Sequence, residues 1–241
     1  MTTRARASLV FLLIVVAVVC VRLGFWQRSR LHQRRSRNAA ALAARALPPV
    51  VLGADSSGET GGASVADSSR AGRRVVATGT YDRSHEVVLR NEVYEGIPGV
   101  RVVTPLRLAT GDSAVLVVRG WVPAPDAISA RLDSLDEPGE VTVRGLAEPI
   151  ASGADGGQPV VRNGATTWRR LDLAALRRRI PYPILPIAVL QLPDSALPRY
   201  PRRLSAAPLD DGPHLSYMFQ WFAFAATALV FAGIVGRPEK R

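Results

Sequence analysis

Two almost purely apolar blocks stand near opposite ends of this 241-residue chain, and they limit its fold more than any other feature. Leu9 to Val21 reads LVFLLIVVAVVCV; Arg22 interrupts it and LGFW completes it at Trp26. As a helix, Leu9–Trp26 is about 27 Å long, close to the thickness of a bilayer's hydrocarbon core. Arg22, near its end, can extend to the headgroups. The alternative is the core of a cleaved signal peptide. No small-x-small cleavage site follows, and QRSRLHQRRSR comes next, so the block reads as a retained anchor. The second block, Leu215 to Val235, carries no charge and would span about 32 Å. A buried core helix is the weaker alternative for it. Ala228 and Ala232 give it a small-xxx-small face suited to close packing against the first helix.

Two spans put both chain ends on one side and the middle on the other. Arg28, Arg30, Arg34, Arg35 and Arg37 directly follow the first span, which by local charge alone favours a cytoplasmic middle. The extension after the first span has few helix breakers. Gly53 to Gly72 is small and polar, a linker with nothing to bury. RRVVATGTY, EVVLRNEVY, VRVVTPLRL, AVLVVRGWVP and EVTVRGLAEP follow as short β-branched runs between Gly, Pro, Asp and Asn. Their spacing favours antiparallel strands over βαβ units. ASGADGGQPVVRNG is a further loop. WRRLDLAALRRRI then forms a short helix ended by Pro181, and PILPIAVLQLP a last strand. The fold class is a membrane protein with two terminal transmembrane helices and an α+β, mainly antiparallel middle domain. Its parts are a transmembrane helix at 8–26, a helical extension at 27–52, a flexible linker at 53–72, an extramembrane β-rich domain at 73–211 and a second transmembrane helix at 215–235.

Composition excludes more than it selects. The net charge of +11 comes from 30 arginines and one lysine spread along the chain, with no nucleic-acid recognition motif beside them. Cys20 is the single cysteine, so an intrachain disulfide or a CxxC site is excluded. There is no nucleophile elbow, P-loop, GxGxxG or HExxH, and no catalytic residue is assigned. Asp210 and Asp211, without evident partners, read as a turn at the membrane surface; Asp133, Asp136 and Glu137 read as solvated.

The remaining signal gathers at one depth. Trp26, Gln27 and Arg28 end the first span where His214, Tyr217 and Trp221 begin the second. An aromatic belt accounts for the ring residues, but histidine is not a belt residue. His214, Tyr217 or Met218, and Trp221 recur on one helical face. An imidazole above an aromatic wall suits an axial heme ligand; a satisfied interfacial histidine is the other reading. His32 and His85 lie in polar stretches and carry less weight.

The stretches LGFWQRSRL, IPGVRVVTPL, VVRGWVP and HLSYMFQWFAFA occur in the order seen in the Surfeit locus protein 1 (Shy-type) family, which this chain resembles over nearly its whole length. Where that family continues the first motif with tryptophan and lysine, this chain has HQRRSR; Gly-Pro-His stands for the usual Asn-Asn-His. The resemblance implies a cytochrome c oxidase (respiratory complex IV) assembly factor or chaperone rather than an enzyme. It would bind heme a and help deliver it to oxidase subunit I, with heme-delivery proteins as further partners. It implies a plasma (inner) membrane location, a periplasmic or extracytoplasmic middle domain and cytoplasmic termini. His214 would be the heme-iron ligand, with Tyr217, Trp221 and Trp26 beside it. Gly24, Gln27, Gly99, Gly120 and Trp121 match motif positions with a partner or structural role. A heme-free scaffold that binds oxidase subunits or other assembly factors is the alternative function.

The topology is directly measurable. A reporter active only in the periplasm should be active when fused after Gly62 and inactive when fused after Arg241; the reverse pattern would give the arginine cluster control of orientation.

Overall fold

The computed structural model describes residues 2–53, 71–132, 135, 137–153, 158–162 and 165–237. They fall into two compact units, one made of Met1–Ala40 with Pro208–Arg241 and the other of Ala41–Ala207.

The first unit is a pair of helices. Helix α1 runs Thr3–Ala46, and the C-terminal helix, labelled α3 in chain order, runs His214–Gly236. Both are long and apolar enough to cross a membrane, and most of each apolar window faces outward rather than into a core. Their inward faces are narrow. On α1 the buried positions are Ala17, Cys20, Gly24, Gln27 and Leu31, at alternating spacings of three and four. On α3 they are Ala225, Ala228 and Ala232. Small residues let two backbones approach closely, which is how helices associate where water supplies no drive. The expected extension of the first helix is helical through Ala46. Pro48 and Pro49 then prevent continuation, and residues expected inside it, Val50–Leu52, form strand β1.

The second unit is built on a nine-stranded mixed sheet. After β1 come β2 (Arg74–Tyr81), β3 (Val87–Tyr94), β4 (Ile97–Leu108), β5 (Ala114–Pro123), β6 (Glu140–Pro149), β7 (Val160–Arg162), β8 (Ala165–Trp168), helix α2 (Leu173–Arg179) and β9 (Ile184–Gln191). The order β2-β6-β9-β5-β4 closes on itself, because Gly79–Tyr81 of β2 also pair with Leu106–Leu108 of β4. The result is a small closed barrel. Strand β1 lies along β2, while β3, β8 and β7 extend outward from β4. Most pairings are antiparallel, but β1–β2, β3–β8 and β5–β9 are parallel. The β5–β9 pairing needs a long crossover, and it contains β6 and α2. Strand β7 lies in the stretch expected to be a loop; it is three residues long and has no periodicity to display. The linker is outside the described residues except for Gly53, Ala71 and Gly72.

Alternation in the strands produces two apolar layers. Val75, Ala77, Leu106, Val115, Val117, Val143, Ile187 and Val189 fill the barrel interior. Val103, Leu116, Val118, Ala188 and Leu190 face outward and are covered by Trp168, Leu173 and Leu176. Helix α2 holds that cover in place. Asp172 caps its N-terminus by accepting the Ala175 N–H at 2.8 Å, and Ile180, just before Pro181, ends it. Strand β5 is consequently buried on both faces from Ala114 to Val122.

A charged network interrupts the apolar layers at Arg119, in the middle of β5. Its side chain is 1% exposed. It donates to Glu137 Oε1 at 2.8 Å, to the Leu135 carbonyl and to Glu86 Oε2, and its guanidinium lies 4.8 Å from the Tyr81 ring centroid. Arg203 shares the Glu137 oxygen and also donates to Gln191 and the Pro201 carbonyl. Glu137, expected to be solvated, is therefore a partly buried partner of two arginines: burial pushes its carboxyl upward, but the guanidinium groups outweigh burial and lower it. Asp133 and Asp136 lie outside the described residues.

Three family-motif residues meet beside that network. Gly120 has φ +142°, and a Cβ there would lie 2.3 Å from the Arg202 carbonyl oxygen. The close approach lets Trp121 and Arg202 exchange both backbone hydrogen bonds, at 2.9 and 2.7 Å. Gly99, across the ladder, leaves the space taken by the Trp121 indole; a Cβ would stand 2.3 Å from its Nε1. Trp121 is 3% exposed and its ring centroid lies 5.5 Å from that of Tyr94. The returning chain at residues 200–203 is thus seated on β5 by Gly99, Gly120 and Trp121 together. Trp121→Ala should destabilise this unit by about 3–5 kcal/mol. Chemical denaturation of the variant checks this, and an unchanged midpoint would show that the indole is dispensable to the fold.

Candidate functional site

The best-connected polar cluster of the helical unit joins the end of the α1 span to the start of α3. α3 begins without a side-chain cap, at Pro213. His214, its first residue, hydrogen-bonds through Nδ1 to Gln27 Oε1 at 2.9 Å, across 187 residues of sequence. With the amide oxygen as acceptor, Nδ1 carries the proton and Nε2 keeps the lone pair. His214 Nε2 has no hydrogen-bond partner among the described residues. Gln27 is buried, so this amide is fixed by the helix pair rather than by solvent.

The turn before His214 is clamped to the next two turns of α1. Arg34 donates from Nε to the Asp210 carbonyl and from Nη2 to Asp210 Oδ1, both at 2.8 Å; Asn38 reaches the same carbonyl at 2.8 Å. Arg35 binds the Asp211 carboxylate with two nitrogens. The Asp211 carboxyl is lowered by its hydrogen bond to Arg35. Gly212, with φ +63°, makes the sharp turn and donates its N–H to Asp210 Oδ1. Asp210 and Asp211, expected to form a turn without partners, lead into the turn at Gly212–Pro213 and have dedicated cationic partners. No local sequence signal could reveal a pairing 176 residues apart.

The aromatic residues divide between two roles. Phe222 packs on the bare backbone of Gly24, where a Cβ would lie 2.7 Å from the ring, and meets Phe25 edge-on at 5.5 Å. Trp221 is partly covered and edge-on to Phe224 at 5.9 Å; Tyr217 and Trp26 are about half exposed. Trp26 carries the Arg30 guanidinium 5.4 Å from its ring centroid. Its structural partner is therefore Arg30, and the first-motif residue that reaches His214 is Gln27. Sequence reasoning missed Phe222, although its spacing of eight from His214 puts both on one side of α3. His32 lines an open groove between the two helices together with Arg28 and Leu215, the chain neighbours of Gln27 and His214.

The second unit has its own polar cluster. Asp82 accepts from Ser84, from Tyr182 at 2.6 Å and from His85 Nδ1 at 2.7 Å. Burial raises the Asp82 carboxyl, but the combined hydrogen bonds of Ser84, Tyr182 and His85 overcome it and hold it at about 2. Ser84 and Asp82 address the same imidazole nitrogen. A nucleophile relay needs them on opposite nitrogens, so this trio serves as a cap for the turn at Arg83–His85. Among the described residues no group of three His, Cys, Asp or Glu side chains could hold a metal ion.

A match to the SURF1 family covers residues 14–226, from within the first apolar block into the second. The chain belongs to the SURF1 family. Its members are known as cytochrome oxidase assembly factors, which associates this chain with the oxidase assembly machinery. A SURF1-like protein from Monosiga brevicollis is 27% identical over 240 residues, spanning 94% of this chain and 87% of that protein. The family match includes Gly24, Gln27, Gly99, Gly120, Trp121 and His214, so both clusters of motif residues fall within it.

The Gly24–Phe222 contact predicts a compensating pair. Gly24→Leu should overpack the seam and cost about 1–3 kcal/mol in detergent-solubilised protein. Phe222→Ala in the same chain should recover part of that loss. Unfolding curves of the two single variants and the double variant test the coupling; strictly additive losses would separate the two positions.

Proposed function

We propose that this protein is a membrane-anchored assembly factor for cytochrome c oxidase that takes up heme a as cargo at His214 and helps its insertion into subunit I. The observation that carries the reading is the His214–Gln27 hydrogen bond. An axial imidazole needs one nitrogen free for iron and the other held by an acceptor that fixes the ring. Gln27 holds Nδ1, which leaves Nε2 as the ligand atom. Tyr217 and Trp221, three and seven residues on, supply aromatic surface on the same side of α3. Trp26 flanks the site from α1 at the residue before Gln27. The oxidase subunit and heme-delivery proteins are the partners in this reading.

In the proposed topology both helices span the plasma (inner) membrane, the termini are cytoplasmic and the sheet unit is extracytoplasmic. The charge bias against that orientation is smaller than the sequence suggests. Arg34 and Arg35, two of the five arginines after the first span, are paired with Asp210 and Asp211. A domain of this length also weakens local charge rules.

Protein purified in detergent from a host that makes heme a should show a Soret band. His214→Ala should remove or shift it while leaving the amount of membrane-inserted protein nearly unchanged. Gln27→Ala should keep the band but weaken heme affinity by about 10–100-fold, as loss of a ligand-orienting partner does. An unaltered spectrum in the His214 variant would eliminate it as the ligand. A colourless parent protein in that host would leave the scaffold function in its place.

A further inference from the structure

We propose that the groove between α1 and α3, which adjoins the His214–Gln27 pair, is a site for a phospholipid of the phosphatidylglycerol class. The groove encloses about 700 Å³, within the range of small-ligand sites. Phe25, Leu215 and Met218 give it an apolar wall, and Arg28, His32 and Arg35 line the same space. Phe25, Arg28, His32 and Arg35 are spaced three, four and three apart, so they form one stripe on α1 beside the buried seam.

The three basic residues are not equivalent. Arg35 is already bound to Asp211. Arg28 and His32 make no ion pair or hydrogen bond among the described residues. Arg28 stands two residues beyond Trp26, at the end of the apolar span. An unpaired guanidinium at that depth, above an apolar wall, matches a phosphate above an acyl chain. A guanidinium and a phosphate form charge-assisted, often bidentate hydrogen bonds, and the apolar wall accommodates the acyl chain. A zwitterionic headgroup offers the same tail but adds a cation that Arg28 disfavours. The site therefore selects by headgroup charge, and its occupant spans the groove lengthwise, with phosphate toward Arg28 and His32 and hydrocarbon toward Met218.

This inference rests on the membrane-anchor reading, and the experiment separates the two. Carbonate-washed membranes are assayed first; the washed protein is then solubilised, exchanged into micelles holding equal phosphatidylglycerol and phosphatidylcholine, and its retained lipid counted by mass spectrometry. The parent protein should retain phosphatidylglycerol preferentially. Arg28→Gln should lower that retention about five-fold, the equivalent of roughly 1 kcal/mol for one basic residue at an anionic surface. Met218→Trp, which fills the wall without altering charge, should lower it as well. Arg37→Gln, outside the groove, should leave it unchanged. Protein that stays in washed membranes but retains both lipids equally, or retains phosphatidylglycerol undiminished in the Arg28 and Met218 variants, overturns the lipid site alone. Protein released by the wash overturns the anchor reading and the lipid site with it. A Soret band lost in His32→Gln with phosphatidylglycerol retention unchanged would assign the groove to a porphyrin instead.

Discussion

A guanidinium group cannot remain unpaired inside a sheet that is covered on both faces. Arg119 occupies the middle of β5, which is paired with β4 on one side and β9 on the other. Its charge is tolerable only because Glu86, Glu137 and a backbone carbonyl are brought to it. None of these partners is on a neighbouring strand. Glu86 comes from the turn after β2, Glu137 from the approach to β6, and Arg203 joins from the segment that leaves β9. Breaking one member of such a buried set typically costs about 3–5 kcal/mol, because a charge is left without compensation. Connections that carry no periodic signal are thereby held to defined places around the barrel.

The helical unit solves a different problem with similar means. In hydrocarbon the apolar residues of α1 and α3 gain little by meeting each other, so close contact must come from small side chains and polar bonds. Gly24 and the four buried alanines supply the first. The second is concentrated at one end, where Gln27, Arg34, Arg35 and Asn38 take hold of Asp210, Asp211 and His214. At the other end, the contact described is apolar, Val10 lying against Gly236. The pair is therefore tied at the depth where the proposed chemistry occurs.

Much of this was legible in the sequence because it depends on local pattern. The two apolar blocks mark the two long helices, and β2, β3, β5 and β6 match their runs to within one residue at each end. Pro181 ends α2 through breaking chemistry that needs no tertiary context. Barrel closure was not legible, since β2 pairs with β4 through a three-residue overlap at its end. Nor were the parallel pairings, which bring together segments far apart in the chain. At the candidate site, the sequence put Gln27 level with His214, but not the hydrogen bond between them. A glutamine between Trp26 and Arg28 carries no pattern that marks it as a buried partner. Glu137 was misjudged for the same reason: a carboxylate in a Pro/Gly-bounded stretch signals water unless the distant arginines are known.

The Gln27–His214 bond has a consequence for the order in which the molecule is made. Its two halves are separated by 187 residues, most of the polypeptide. A ribosome working at roughly 5–20 residues per second needs on the order of ten seconds or more to bridge that interval. Throughout it the first helix is present without its companion: Gln27 has no imidazole, and the bare backbone at Gly24 has no ring against it. The histidine arrives only after every strand of the barrel has been synthesised. In a chain of this design, the histidine of the pair is delivered late, and truncation anywhere before residue 214 leaves α1 without it.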